Sequence, residues 1–158
     1  MNYEQKYLKY KIKYQNLKNL LGGEIINGID MDVIKTKLES IKSINSSLSS
    51  SLTTFQTNLE TSENLIKNFK KQLKTEKNPV SINSLNSRLK TEEQNQGRYN
   101  ASITKYKAGI KLLNNKIPEI ENAIGKNNSN TTKDKKSIEL LTKLITLDVN
   151  TPIAGWGI

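Results

Sequence analysis

The chain contains neither His nor Cys. That removes together the imidazole general base, the thiolate nucleophile and the commonest zinc ligands. Carboxylates and hydroxyls are left to carry chemistry, and Glu92 and Glu93 are the only adjacent carboxylates. They fall in the middle of a helical pattern with no Lys or His placed to form a cleft around them, so a solvated face is expected. A Gly-rich phosphate loop, a G-x-S-x-G elbow and an acidic metal cluster are absent from the sequence. No catalytic, cofactor-binding or metal-ligating residue is therefore assigned, no cofactor is expected, and the chain reads as a non-enzyme.

The segment richest in other chemistry is the first. Tyr3, Tyr7, Tyr10, Tyr14, Leu17 and Leu21 alternate at spacings of four and three, with Lys6, Lys9, Lys11, Lys13 and Lys18 among them. This spacing predicts a basic amphipathic helix with one apolar face, ended at Gly22-Gly23. Interleaved Tyr and Lys suit a lipid surface, a nucleic-acid backbone with stacked bases, or another protein. Packing of the Tyr face on the chain's own helices is the structural alternative. Tyr3, Tyr7, Tyr10, Tyr14, Lys6, Lys9 and Lys13 are the candidate interaction residues. Trp156, the single Trp, joins them as part of an apolar tail that either docks into a partner groove or packs at home.

These residues need a scaffold, and composition limits what it can be. Of 158 residues 34% are hydrophobic, and the mean hydropathy is -0.64. A seam between long helices buries enough apolar surface from so few residues, because only two positions in seven must be apolar. The net charge of +10 favours anionic partners, but 23 of the 25 basic residues are Lys, which argues against base-specific DNA readout. Non-specific nucleic acid or an anionic membrane surface remains open. No stretch approaches the ~20 apolar residues of a membrane span, so no transmembrane segment is expected.

Apolar residues then recur with heptad spacing in two runs. The first passes through Ile34, Leu38, Ile41, Asn45, Leu48, Leu52, Phe55, Leu59, Ser62, Ile66, Phe69 and Leu73; the second passes through Ile82, Leu85, Leu89, Glu92, Gln96, Tyr99, Ile103, Tyr106, Ile110, Leu113, Ile117, Ile120 and Ile124. Asp30 or Asp32 can cap the first. Asn78-Pro79 separates them, and the heptad phase breaks there, so the chain is expected to turn. Folding about position 79 aligns twelve layers, from Leu73 with Leu85, through Ser62 with Gln96, Phe55 with Ile103 and Asn45 with Leu113, to Ile34 with Ile124. The polar layers are expected to fix register. The fold class is all-α: an antiparallel coiled-coil hairpin over about 31–77 and 80–124, with helices of ~65–70 Å at ~1.5 Å per residue.

Residues 1–23 form the leader helix, 24–30 a linker, 31–147 the hairpin or three-helix bundle, and 148–158 a tail. Pro118 is expected to kink the second arm, and Gly125 and residues 126–133 to form a loop. A short helix over about 134–147 presents Ile138, Leu141, Leu144 and Ile145. It is expected either on a second stripe of Ile44, Ala101, Ala108 and Leu112, or to leave that stripe for self-association.

The string from Tyr3 to Gly23, YEQKYLKYKIKYQNLKNLLGG, resembles a leader at the start of many otherwise unrelated proteins of mimivirus-like giant DNA viruses. Gly22-Gly23 before Glu24 also resembles the Gly-Gly-X sites cut by adenovirus- and SUMO-protease-like cysteine proteases that mature virion proteins. The resemblance covers residues 1–23 alone. It implies a giant-virus virion structural protein (minor capsid, cement or core scaffold), with cleavage after Gly23, other virion proteins as partners, and a location in the virion and, during assembly, the host cytoplasm. A basic genome-condensing or anionic-surface-binding protein and a host-interaction adaptor are the alternatives.

Overall fold

A computed structural model describes Tyr10, residues 25–26, 29–128 and 134–157. The described chain is all-α. Helix α1 (Met31–Leu73) and helix α2 (Pro79–Asn128) form the antiparallel hairpin, and helix α3 (Lys135–Thr146) follows. The chain divides into two compact units, one made of Ser43–Asn114 and the other of the two chain ends, up to Lys42 and from Asn115.

In the Ser43–Asn114 unit the turn forms where the sequence breaks phase. Asn78 Oδ1 accepts from Val80 N at 2.9 Å, capping α2, whose first residue, Pro79, has no N–H to satisfy. Glu76 Oε1 accepts from Lys77 N and Asn78 N and ties the turn down from the other side. Every seam position named from the heptads in this unit is buried or half-buried. Most are half-buried, because two helices cover only the inner stripe of each. From Ser43 to Leu59 α1 carries no charge and nine Ser or Thr, poor helix formers because their hydroxyls compete for backbone groups. Here the hydroxyls are spent inside the helix: Ser47, Ser49, Ser50, Thr53, Thr54 and Thr57 each donate to the carbonyl four residues back. The helix in this stretch is therefore held by its seam more than by its propensity.

In the unit of chain ends, strands β1 (Ile25–Ile26) and β2 (Ile29–Asp30) pair antiparallel, Ile26 opposite Ile29, where the sequence suggested a plain linker. The overlooked signal is Asn27-Gly28 between two Ile-bearing segments, a two-residue hairpin sequence. Asp30 Oδ1 then caps α1, accepting from Asp32 N and Val33 N. Met31, Ile34, Leu38 and Ile41 from α1, Ile120 and Ala123 from α2, and Leu141 and Leu144 from α3 are all buried. Adding a third helix covers much of what a two-helix seam leaves open, and of the expected seam positions in this unit Ile117 and Ile124 stay half-buried. Lys37 Nζ donates to the Leu147 carbonyl at the end of α3, placing a cation at the negative end of that helix.

One expectation about the helices is corrected. Helix α2 runs on through Pro118 to Asn128, so Gly125 and Lys126 are helical and not loop. Proline costs one backbone hydrogen bond, and packing of Ile117, Ile120 and Ala123 on the same turns outweighs it. Helix α3 falls in the same compact unit as Met31 and Ala123, and Ala101, Ala108 and Leu112 are exposed. Trp156 is 7% exposed, the packed one of the two arrangements expected for the tail.

Candidate functional site

The place where a hydroxyl and a carboxylate meet under cover is a polar layer of the hairpin. Ser62 is 2% exposed, and its Oγ donates to Glu92 Oε2 at 2.9 Å and lies 3.2 Å from the Glu92 carbonyl. Gln96 Nε2 reaches Glu63 Oε1 at 3.5 Å. Thus Ser62, aligned from sequence with Gln96, takes its partner one turn earlier, and Glu92 is half-buried and bonded instead of solvated. A seryl oxygen beside a carboxylate begins a nucleophile–base pair. Among the described residues no third group orients this base, and the Ser62 hydroxyl is spent on Glu92 itself. The layer is built as a register lock: short Ser62 leaves room for Glu92, and each satisfies the other.

Two ion pairs frame the seam. Lys70 Nζ lies 3.0 Å from Glu93 Oε1, and Lys42 Nζ 3.0 Å from Glu121 Oε1. Lys42 also meets Glu39, and the hydrogen bonds it donates to Glu121 and then to Glu39 raise its pKa. In heptad terms all four principal residues occupy e positions, where charge selects partner and orientation in coiled coils. The sequence held this signal, since each Lys is placed to face a Glu once the turn at position 79 is drawn. In the Ser43–Asn114 unit aromatic side chains also meet across the seam. Phe55 sits 5.4 Å from Tyr106 and 6.2 Å from Tyr99, the two seam residues flanking Ile103, which places Phe55 at the layer expected for it.

No protein-family model, curated protein or solved structure matches this chain. Function must therefore be argued from the residues. Of the candidate interaction residues, Tyr10 is helical and 72% exposed. Tyr3, Tyr7, Tyr14, Lys6, Lys9, Lys13 and the proposed cleavage residues Gly22, Gly23 and Glu24 lie outside the described residues. Trp156 donates its indole N–H to the Thr151 carbonyl at 2.9 Å, folding the tail back over itself through the Ile153–Gly155 turn. Among the described residues no group of three or more Asp or Glu is placed to hold a metal ion. No described helix is long and apolar enough to cross a membrane.

Proposed function

We propose that this chain is a non-enzymatic coiled-coil spacer or assembly element. The observation that carries the proposal is the seam itself: two long helices are locked in register by a Ser62–Glu92 layer, a Phe55–Tyr99–Tyr106 cluster and e-position ion pairs. Each of these contacts joins α1 to α2. A chain whose chemistry is consumed by its own architecture serves as a part to be positioned against other proteins.

The leader's resemblance makes the proposal specific: a structural protein of a giant DNA virus particle, with a minor capsid, cement or core-scaffold role. Glu24 lies one residue ahead of β1, so cleavage after Gly23 takes no element of the described fold except the helical position at Tyr10. Intact-mass analysis of purified particles tests both steps. The expected result is this chain in the particle with a mass starting at Glu24. Absence from particles removes the virion role, and a full-length mass removes the cleavage.

A further inference from the structure

The turn end of the hairpin has an unbalanced charge that the seam does not use. Between Glu63 and Glu92 the chain carries seven cations and one carboxylate, Glu76, and all seven cations are exposed. Glu76 is occupied with the turn's backbone N–H groups. Lys70 alone of the seven has an ion pair among the described residues, and Arg88 is placed over the Phe69 ring at 4.8 Å.

The remaining cations are gathered on one side. The Lys70–Glu93 pair shows which edges of the two helices face each other. Lys67 stands three before Lys70 on α1 and Lys90 three before Glu93 on α2, so both flank that same seam edge, and Lys74 opens the turn directly after the last residue of α1. Lys71 lies next to this ridge and Lys77 extends it into the turn. Lys67 to Lys71 spans about 6 Å of helix.

We propose that this lysine face binds the sugar–phosphate backbone of a nucleic acid without reading its sequence, an activity beyond the spacer role. Lys supplies point charges that release counterions from phosphates. Exposed Asn64, Asn68 and Asn86 beside it supply the neutral hydrogen bonds that backbone contacts also use. Arg88 is the one Arg at this end, so the face offers Lys point charges in place of the guanidinium forks that read guanine. A lipid surface fits less well. Val80, 77% exposed, is the sole large apolar side chain offered at the turn, whereas Ile82 and Leu85 are drawn into the seam and a bilayer-seated helix needs a broad apolar face.

The test is fluorescence anisotropy of the full chain on a mixed-sequence DNA duplex of ~20 bp across a salt series. With roughly four phosphates neutralised, affinity is expected to fall about a hundredfold between ~50 and ~200 mM salt. Lys67→Gln/Lys71→Gln/Lys74→Gln/Lys90→Gln should weaken binding by more than about tenfold and flatten the salt slope, while the Arg versions of the same four positions should bind like the parent. Arg98→Gln/Lys105→Gln/Lys107→Gln/Lys111→Gln removes the same charge from the middle of α2 and should cost less than about threefold. Equal losses in the two Gln sets, no loss in the first, or binding to phosphatidylserine vesicles without binding to the duplex would each overturn the assignment.

Discussion

Asn45 Nδ2 donates to Asn114 Oδ1 at 2.9 Å across the hairpin, while the buried Asn45 Oδ1 has no partner among the described residues. The pair thus meets half of the buried amide's needs, and the unmet half opposes folding. Asn45→Leu should raise stability in urea unfolding by about 1–2 kcal/mol, since an unsatisfied buried polar group costs about that much. A polar seam residue also excludes alternative registers, so light scattering should detect higher-mass species in the Leu variant. A less stable Asn45→Leu protein would mean that the oxygen is satisfied after all.

Phe55 stacks on Tyr106 with 29° between ring planes and meets Tyr99 at 56°, which brackets Ile103 and fixes the layer. The absence of native Cys makes this directly measurable. Phe55→Cys with Ile103→Cys should be joined within one chain by a short thiol-reactive cross-linker. Phe55→Cys with Leu113→Cys, ~15 Å further along the helix, should not. Truncation by Phe55→Ala should cost about 2 kcal/mol, below the usual range for a Phe because the ring is half-buried.

The seam was legible in the sequence because heptads state a periodic demand over many turns, and a proline at the phase break leaves one way to satisfy it. Local exceptions were harder to read. The β1–β2 pairing joins two residues to two, too few to show alternation. The continuation of α2 past Pro118 depends on packing, which overrides the missing N–H. Ser62 chose Glu92 over Gln96 because a short hydroxyl bonds the carboxylate that reaches it, a matter of side-chain length that periodicity does not encode. The lysine face became visible once Lys70 and Glu93 showed which helix edges meet.

Asp134 begins α3 as an N-cap, accepting from Lys136 N and Ser137 Oγ as well as from Lys126 Nζ at 2.9 Å. The Lys126 hydrogen bond first, and the Ser137 bond second, hold its carboxyl at about 2, below the ordinary 3.8. A carboxyl depressed by folding stabilises fully above its unfolded value and loses that contribution as pH falls toward the folded one. The stability gap between the parent and Asp134→Asn should therefore be constant above about pH 5 and shrink between about pH 4 and 2. Thermal melts across that range check it, and a gap that widens in acid would contradict the sign.

Trp156 closes the chain-end unit, and being the only Trp it reports on that unit alone. Buried at 7% exposure and hydrogen-bonded through Nε1 to the Thr151 carbonyl, it should emit at short wavelength in the native protein and shift red on unfolding. Trp156→Phe keeps most of the ring and loses the N–H donor, so it should cost about 1 kcal/mol, whereas Trp156→Ala should cost about 3 kcal/mol through the space it leaves. Leu141→Ala, in α3 and fully buried in the same unit, should bring the Trp transition to lower denaturant. Native emission typical of an exposed indole, or a Trp transition unmoved by Leu141→Ala, would show the tail undocked and restore Trp156 as a free contact for partners.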